Sequence, residues 1–67
     1  MNTYEIGLNA GKIWNLIDKQ GDHSVKELQT ELKLTDKDIN MALGWLSKEG
    51  KIFHFESHGE WRICLSE

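Results

Sequence analysis

The stretch Thr35–Ile52, T-D-K-D-I-N-M-A-L-G-W-L-S-K-E-G-K-I, decides how this chain folds. Thr35 stands three residues before Asp38, so its hydroxyl can accept from the amide of residue 38, while the aspartate lies at the positive end of the helix dipole. Ile39, Ala42, Leu43 and Leu46 recur at helical spacing and make one apolar stripe. Gly50 suits the left-handed position that ends a helix, and Lys51-Ile52 opens an extended run. The stretch therefore predicts a capped helix of about four turns that passes through a glycine into a strand.

Working back from Thr35, Leu34 links this helix to a shorter one. Ser24 and Glu27 form the capping pair S-x-x-E, and Val25, Leu28 and Leu32 mark a buried face that ends near Lys33. Two capped helices so close in sequence must cross at a steep angle, as a helix-turn-helix requires. Upstream, Gly21 stops a first helix. Asn9 reads as its N-cap, with Leu8 and Ile13 forming a hydrophobic staple, which places the helix over about residues 10–20 with Ile13, Leu16 and Ile17 inward and Trp14 at the edge. Tyr4, Ile6 and Leu8 alternate with polar or small residues and read as an extended lead-in. The rival is a helix starting near Asn2 that carries Ile6 on the face of Ile13.

Working forward, K-I-F-H-F-E-S-H-G-E-W-R-I-C-L at residues 51–65 reads as a β-hairpin. A two-residue His58-Gly59 turn places Phe53 and Phe55 on the face opposite Trp61, Ile63 and Leu65. A three-residue Ser57-His58-Gly59 turn gathers all five on one face, and this register is the expectation. It leaves Ile52, His54, Glu56, Glu60, Arg62 and Cys64 on the other face.

The predicted order is extended segment, helix, connector, helix, helix and two-stranded wing: an α+β chain forming one domain over residues 1–67, with a short extra strand either at the N-terminus or before the second helix. This order resembles the winged helix-turn-helix superfamily along essentially the whole chain. I-G-L-N-A-G-K-I-W at Ile6–Trp14 and A-L-G-W-L-S-K-E-G-K-I at Ala42–Ile52 are similar to a family of short stand-alone bacterial winged-helix proteins classed as a domain of unknown function. The resemblance implies that fold and a regulatory role on DNA, and brings no ligand or target with it.

Composition narrows the function classes. Sixty-seven residues bury only about 60% of the surface of their unfolded chain, which leaves little room for a substrate pocket. No apolar run reaches the roughly 18 residues of a membrane span. The N-terminal M-N-T-Y-E-I lacks the basic start and apolar core of a signal peptide, and a single cysteine allows no internal disulfide, so the cytoplasm is the expected compartment. No glycine-rich phosphate loop and no nucleophile with a placed base can be assembled, which argues against an enzyme. Cys64 and His54 on one face of the hairpin, with His58 at the turn, fall short of the four ligands of a structural metal, so no metal or cofactor is expected. The net charge of −3 weighs against a dedicated nucleic-acid binder, whose affinity rests on phosphate neutralisation.

The third helix supplies the candidates for double-stranded DNA. Its outward face carries Lys37, Met41, Gly44 and Lys48, with Asn40 and Trp45 on the flanks. Asn40 has the chemistry to read adenine in a major groove and the lysines to meet phosphates, with Arg62 of the wing as a further contact. The same pattern also describes a solvated helix face, and the wing tip has glutamates on both sides of its turn. A small reader of this class doubles its footprint as a homodimer. Tyr4, Leu8, Trp14 and the Met41–Trp45 pair are the apolar side chains available for that contact. Should Met41 and Trp45 be the contact, the alternative is a protein–protein interaction module without DNA binding.

Overall fold

The computed structural model describes residues 2–66, which form three helices and one small antiparallel sheet. In chain order these are α1 (Thr3–Gln20), β1 (His23–Ser24), α2 (Val25–Leu32), α3 (Asp36–Lys48), β2 (Ile52–Ser57) and β3 (Glu60–Leu65). The sheet order is β1-β3-β2, so the strand before α2 pairs with the far strand of the hairpin. This is an α+β winged helix-turn-helix arrangement, with the additional strand before the second helix.

α3 forms as its sequence dictates. The Thr35 hydroxyl accepts from the Asp38 amide at 3.1 Å, and Ile39, Ala42, Leu43 and Leu46 are all buried. At its C-terminus Gly50 takes φ 70°, which lets Lys51 N–H reach back to Leu46 O at 3.0 Å and turns the chain into β2. These residues pack against Ala10, Ile13 and Ile17 of α1, Leu28 of α2, and Ile52 and Ile63 of the sheet to form one core.

The capping pair of α2 is closed in both directions: Ser24 Oγ accepts from Glu27 N–H at 3.0 Å, and Glu27 Oε1 accepts from Ser24 N–H at 2.9 Å. The helix-turn-helix bend follows. Lys33 takes a left-handed conformation (φ 56°), and Leu34 N–H donates to Gln29 O at 3.0 Å. Gln29 Nε2 donates to Asp36 Oδ1 at 2.7 Å and ties α2 to the first turn of α3. Because Glu27 receives the Ser24 N–H, and lies near Arg62 and His23, its carboxyl is held below its ordinary value of about 4.5. A carboxylate with a lowered folded-state pKa stabilises the fold above its unfolded pKa, and that contribution disappears as pH falls through the folded value. Glu27→Gln should therefore lower stability at neutral pH and flatten the loss of stability below about pH 4.5, as read by urea denaturation between about pH 3 and 7.

Two expectations are overturned. The lead-in is helical: α1 begins at Thr3, capped by Asn2, whose Oδ1 accepts from Glu5 N–H at 2.9 Å while Glu5 Oε1 accepts from Asn2 N–H at 3.2 Å. This reciprocal cap outcompetes Asn9, which becomes an interior residue, and the face that carries Ile13 runs back through Ala10 to Ile6, half-buried. Tyr4 and Leu8 consequently stand on the outer face of a helix and not on a strand.

The hairpin register also differs. Ser57 pairs with Glu60, so the turn is the two-residue His58-Gly59, with φ 53° and 78°. Positive φ at both turn residues matches the right-handed twist of the flanking strands, and glycine at the second position adopts it freely. Ile52, His54 and Glu56 therefore share a face with Trp61, Ile63 and Leu65, while Phe53 and Phe55 share the opposite face with Arg62 and Cys64. The helical layer covers only the base of the wing, where Ile52 and Ile63 are buried. It offers no seat for five large apolar side chains, and Phe53 remains 61% exposed.

Candidate nucleic-acid interface

α3 and the wing enclose a shallow groove. Asn40, Gly44 and Ser47, at spacings of four and three on α3, line one wall, and His54 of β2 and Trp61 of β3 line the other, with Val25 and Leu43 at the base. The local reasons are those that set the fold. The α3 stripe buries Leu43 and turns the residues one step round the helix toward the wing. The two-residue turn puts His54 and Trp61 on the face that looks at α3.

Asn40, Ser47 and His54 are exposed and make no side-chain hydrogen bond among the described residues, so their polar groups are open to an outside partner. Met41, 44% exposed, lies beside them, and Trp61 is 56% exposed. Lys37, one turn before Asn40 and Met41, and Lys48, one turn after Gly44, continue the outer face of the helix and are exposed. Gly44 contributes an absence: a Cβ built there meets nothing within 4 Å, so internal packing does not demand the glycine. A mid-helix glycine costs about 1 kcal/mol relative to alanine, and here it lowers the groove wall toward whatever approaches it.

Of the residues expected to contact DNA, the structure brings Asn40, Met41, Gly44, Lys37 and Lys48 to one face of α3. Arg62 lies on the opposite face of the wing, where its Nε donates to Asp22 Oδ2 at 3.0 Å and its guanidinium lies 3.9 Å from Glu27 and 3.8 Å from Glu60. The Asp22 hydrogen bond, reinforced by the charges of Glu27 and Glu60, raises its pKa further. This guanidinium is a clasp that ties Asp22, just before β1, to α2 and β3, on the face of the wing opposite the groove. The groove-facing side of the wing tip carries Glu56 next to Trp61, an acidic rim against phosphate.

The expected apolar interface is divided. Trp45 is half-buried and turned onto α1, where it shares a recess with Gly7, Ala10, Gly11 and Trp14, so it forms no joint patch with Met41. Trp14 is half-buried and also lines the crevice at the base of the wing beside Gly50 and Leu65. Tyr4 (73% exposed) and Leu8 (49%) stay open on α1. His54 and Cys64, expected on one face of the hairpin, project from opposite faces and cannot share a ligand. Among the described residues, no cluster of three His, Cys, Asp or Glu could hold a metal ion.

Sequence reasoning missed Ser47, His54 and Trp61 as groove residues. Ser47 follows Asn40 by seven residues on the same helix face, which was visible. The other two depended on the turn register.

Against known proteins, residues 1–65 match the family described as a winged helix-turn-helix domain (DUF2582), a domain of unknown function. The chain belongs to this family. The winged helix is 36% identical over 64 residues to an uncharacterised protein, MJ1608, of Methanocaldococcus jannaschii, covering 91% of this chain and 90% of that protein. It is also similar to the solution structure of protein BT2368 from Bacteroides thetaiotaomicron, with a TM-score of 0.83 and 29% identity over 97% of this chain and 79% of that one. Among the described residues, no helix is long and apolar enough to cross a membrane.

Proposed function

We propose that this winged helix is a non-enzymatic regulatory protein that binds double-stranded DNA through the groove between α3 and the wing, acting as a homodimer in the cytoplasm. The observation that carries the reading is the set of unpaired polar side chains in that groove. Asn40 on the outer side of a helix of 13 residues has the donor and acceptor pair that matches adenine, and Ser47 and His54 can meet base edges or phosphate oxygens. Lys37 and Lys48 extend along the helix to either side of Asn40 and Gly44, and Gly44 permits close approach of the sugar–phosphate backbone. The lone cysteine fits a reducing compartment.

A second reading has its own support. Trp61 in the groove and Met41 beside it place exposed apolar surface on the same side of the molecule, and the net charge is −3 with Glu56 on the groove side of the wing tip. These features suit a protein partner docked on the same surface without DNA.

Titration of fluorescently labelled duplex DNA separates the two. The proposal expects binding at low salt, with log K falling by about −0.9 per phosphate met, a slope of roughly −2 for the two lysines of each subunit. Asn40→Ala should change which sequences bind best, by about 1–3 kcal/mol at its position, with little effect on the salt slope. Absence of binding at low salt would overturn the DNA reading and leave the protein-docking one.

A further inference from the structure

α1 carries an outward face that the monomer does not use. Tyr4, Leu8, Gly11 and Asn15 are all exposed and follow one another at spacings of four, three and four residues, the rhythm of a helix–helix seam. They lie away from the buried Ala10, Ile13 and Ile17, with Gly11 and Asn15 on the edge that borders the Trp45 recess. Gly11 sits mid-helix although a Cβ there meets nothing within 4 Å, so packing within the chain gives no reason for it. It opens a notch one turn from the projecting Leu8.

The charges beside this seam are ordered. Glu5, Lys12 and Lys19 are seven residues apart on one flank, and all three are exposed. Asp38, at the start of α3, borders the same flank by the cleft that holds Glu5, Leu8 and Lys12. Acid at one end and base toward the other is self-complementary only when the partner helix runs the opposite way, because in an antiparallel pair like flanks face each other.

We infer that two copies of this chain associate through α1 in an antiparallel, two-fold pair, with Leu8 of each seated in the Gly11 notch of the other and Tyr4 against Asn15. In that register Glu5 stands two residues, about 3 Å along the axis, from the level of the partner's Lys12, within reach of their side chains. Glu5 and Lys12 then pair twice across the dimer, through the Glu5 Oε2 that the Asn2 cap, held on Oε1, leaves free. None of the seam residues lines the groove of α3 and the wing. This deepens the homodimer reading above and rests on it, but does not depend on DNA being the ligand.

Sedimentation velocity across a range of concentrations, on the whole chain, tests it. Wild type should sediment as a dimer. Gly11→Glu places a charge in the seam but, being a better helix former at an open position, should keep or raise the melting temperature while weakening association by tenfold or more. Lys12→Glu combined with Lys19→Glu makes the α1 residues of the flank all acidic, and Glu5→Lys makes them all basic. Because Glu5→Lys also removes the Glu5 half of the α1 cap, circular dichroism of that variant checks that α1 stays helical. Each protein alone should be monomeric, and an equimolar mixture of the two should dimerise. A wild-type monomer at high concentration would overturn the homodimer reading and this surface together. A wild-type dimer that survives Gly11→Glu, or a charge-swapped mixture that stays monomeric, would overturn the α1 pair alone. If Phe55→Ser on the outer face of the wing were the variant that dissociates the dimer, the contact would be the exposed wing phenylalanines, and the α1 assignment would be wrong.

Discussion

Leu28→Ala should remove most of the stability of this domain. Leu28 is completely buried and is the one fully buried side chain that α2 contributes to the core, flanked by the half-covered Val25 and Leu32. An eight-residue helix has no stability of its own in water, so α2 stays in place through this contact, its Ser24–Glu27 cap and its link to α3. Truncating a buried leucine to alanine costs about 2–5 kcal/mol, depending on how far the surroundings collapse into the space. A domain of 67 residues has roughly 3–10 kcal/mol in total, and one of this size loses about 4–8 °C of melting temperature per kcal/mol. The expected result is a transition lowered by on the order of 10–30 °C, seen by circular dichroism, with the helix-turn-helix losing order first. Leu8→Ala should leave the monomer transition almost unmoved, because Leu8 lies outside the core. A loss below about 1 kcal/mol for Leu28→Ala would mean that α2 is held chiefly by its caps and polar ties.

The helix-turn-helix was legible because its signals are local and mutually consistent. Ser24 with Glu27, Thr35 with Asp38, and the 39-42-43-46 stripe each specify one helix end or face within a few residues, and each is realised as expected. The start of α1 was less legible because two asparagines competed for the same role. Asn9 followed by Ile13 forms a plausible staple, but Asn2 with Glu5 satisfies two orphan amides reciprocally and adds seven residues of helix before Ala10. The alternation of Tyr4, Ile6 and Leu8 was too short to settle the period, and in the helix these side chains point in different directions, with only Ile6 partly covered.

The wing misled for a physical reason. Gathering five apolar residues on one face assumes that an apolar side chain will find cover, yet the wing extends beyond the helical layer and half of its large side chains stay wet. Turn chemistry was the better guide: His58-Gly59 satisfies the two positive φ values of a two-residue hairpin turn. The groove depended on this choice. With the register wrong, His54 turns to the face opposite Trp61, which joins Phe53 and Phe55 on one apolar face, so the α3 side of the candidate site could be read and the wing side could not. Arg62 illustrates the same limit, since its clasp to Asp22 spans 40 residues of sequence.

The largest functional effect should come from reversing the only two positive charges on the outer face of α3. In the DNA reading, Lys37 and Lys48 carry the phosphate contacts of each subunit, while the tip of the wing adds Glu56 on the groove side. A charge-assisted contact is worth about 1.5 kcal/mol or more, and about 1.4 kcal/mol is a factor of ten, so loss of two contacts lowers affinity by on the order of 100-fold. Lys37→Glu with Lys48→Glu goes further, because it sets two carboxylates against phosphate. The salt slope should fall by about one for each lysine removed. Folding should be almost untouched. Lys48 in the last turn of α3 is favourable to the helix dipole and its loss destabilises slightly, while a glutamate at position 37 near the N-terminus recovers a similar few tenths of a kcal/mol. The converse variant, Glu56→Lys, should raise affinity and steepen the slope by about one, since it brings a cation to the groove side of the tip. Duplex titrations of the three proteins at matched salt give the comparison. If the doubly reversed protein bound DNA as wild type does, the groove between α3 and the wing would not be the DNA surface. If Glu56→Lys left both affinity and slope unchanged, α3 would engage DNA with the wing held clear of the backbone.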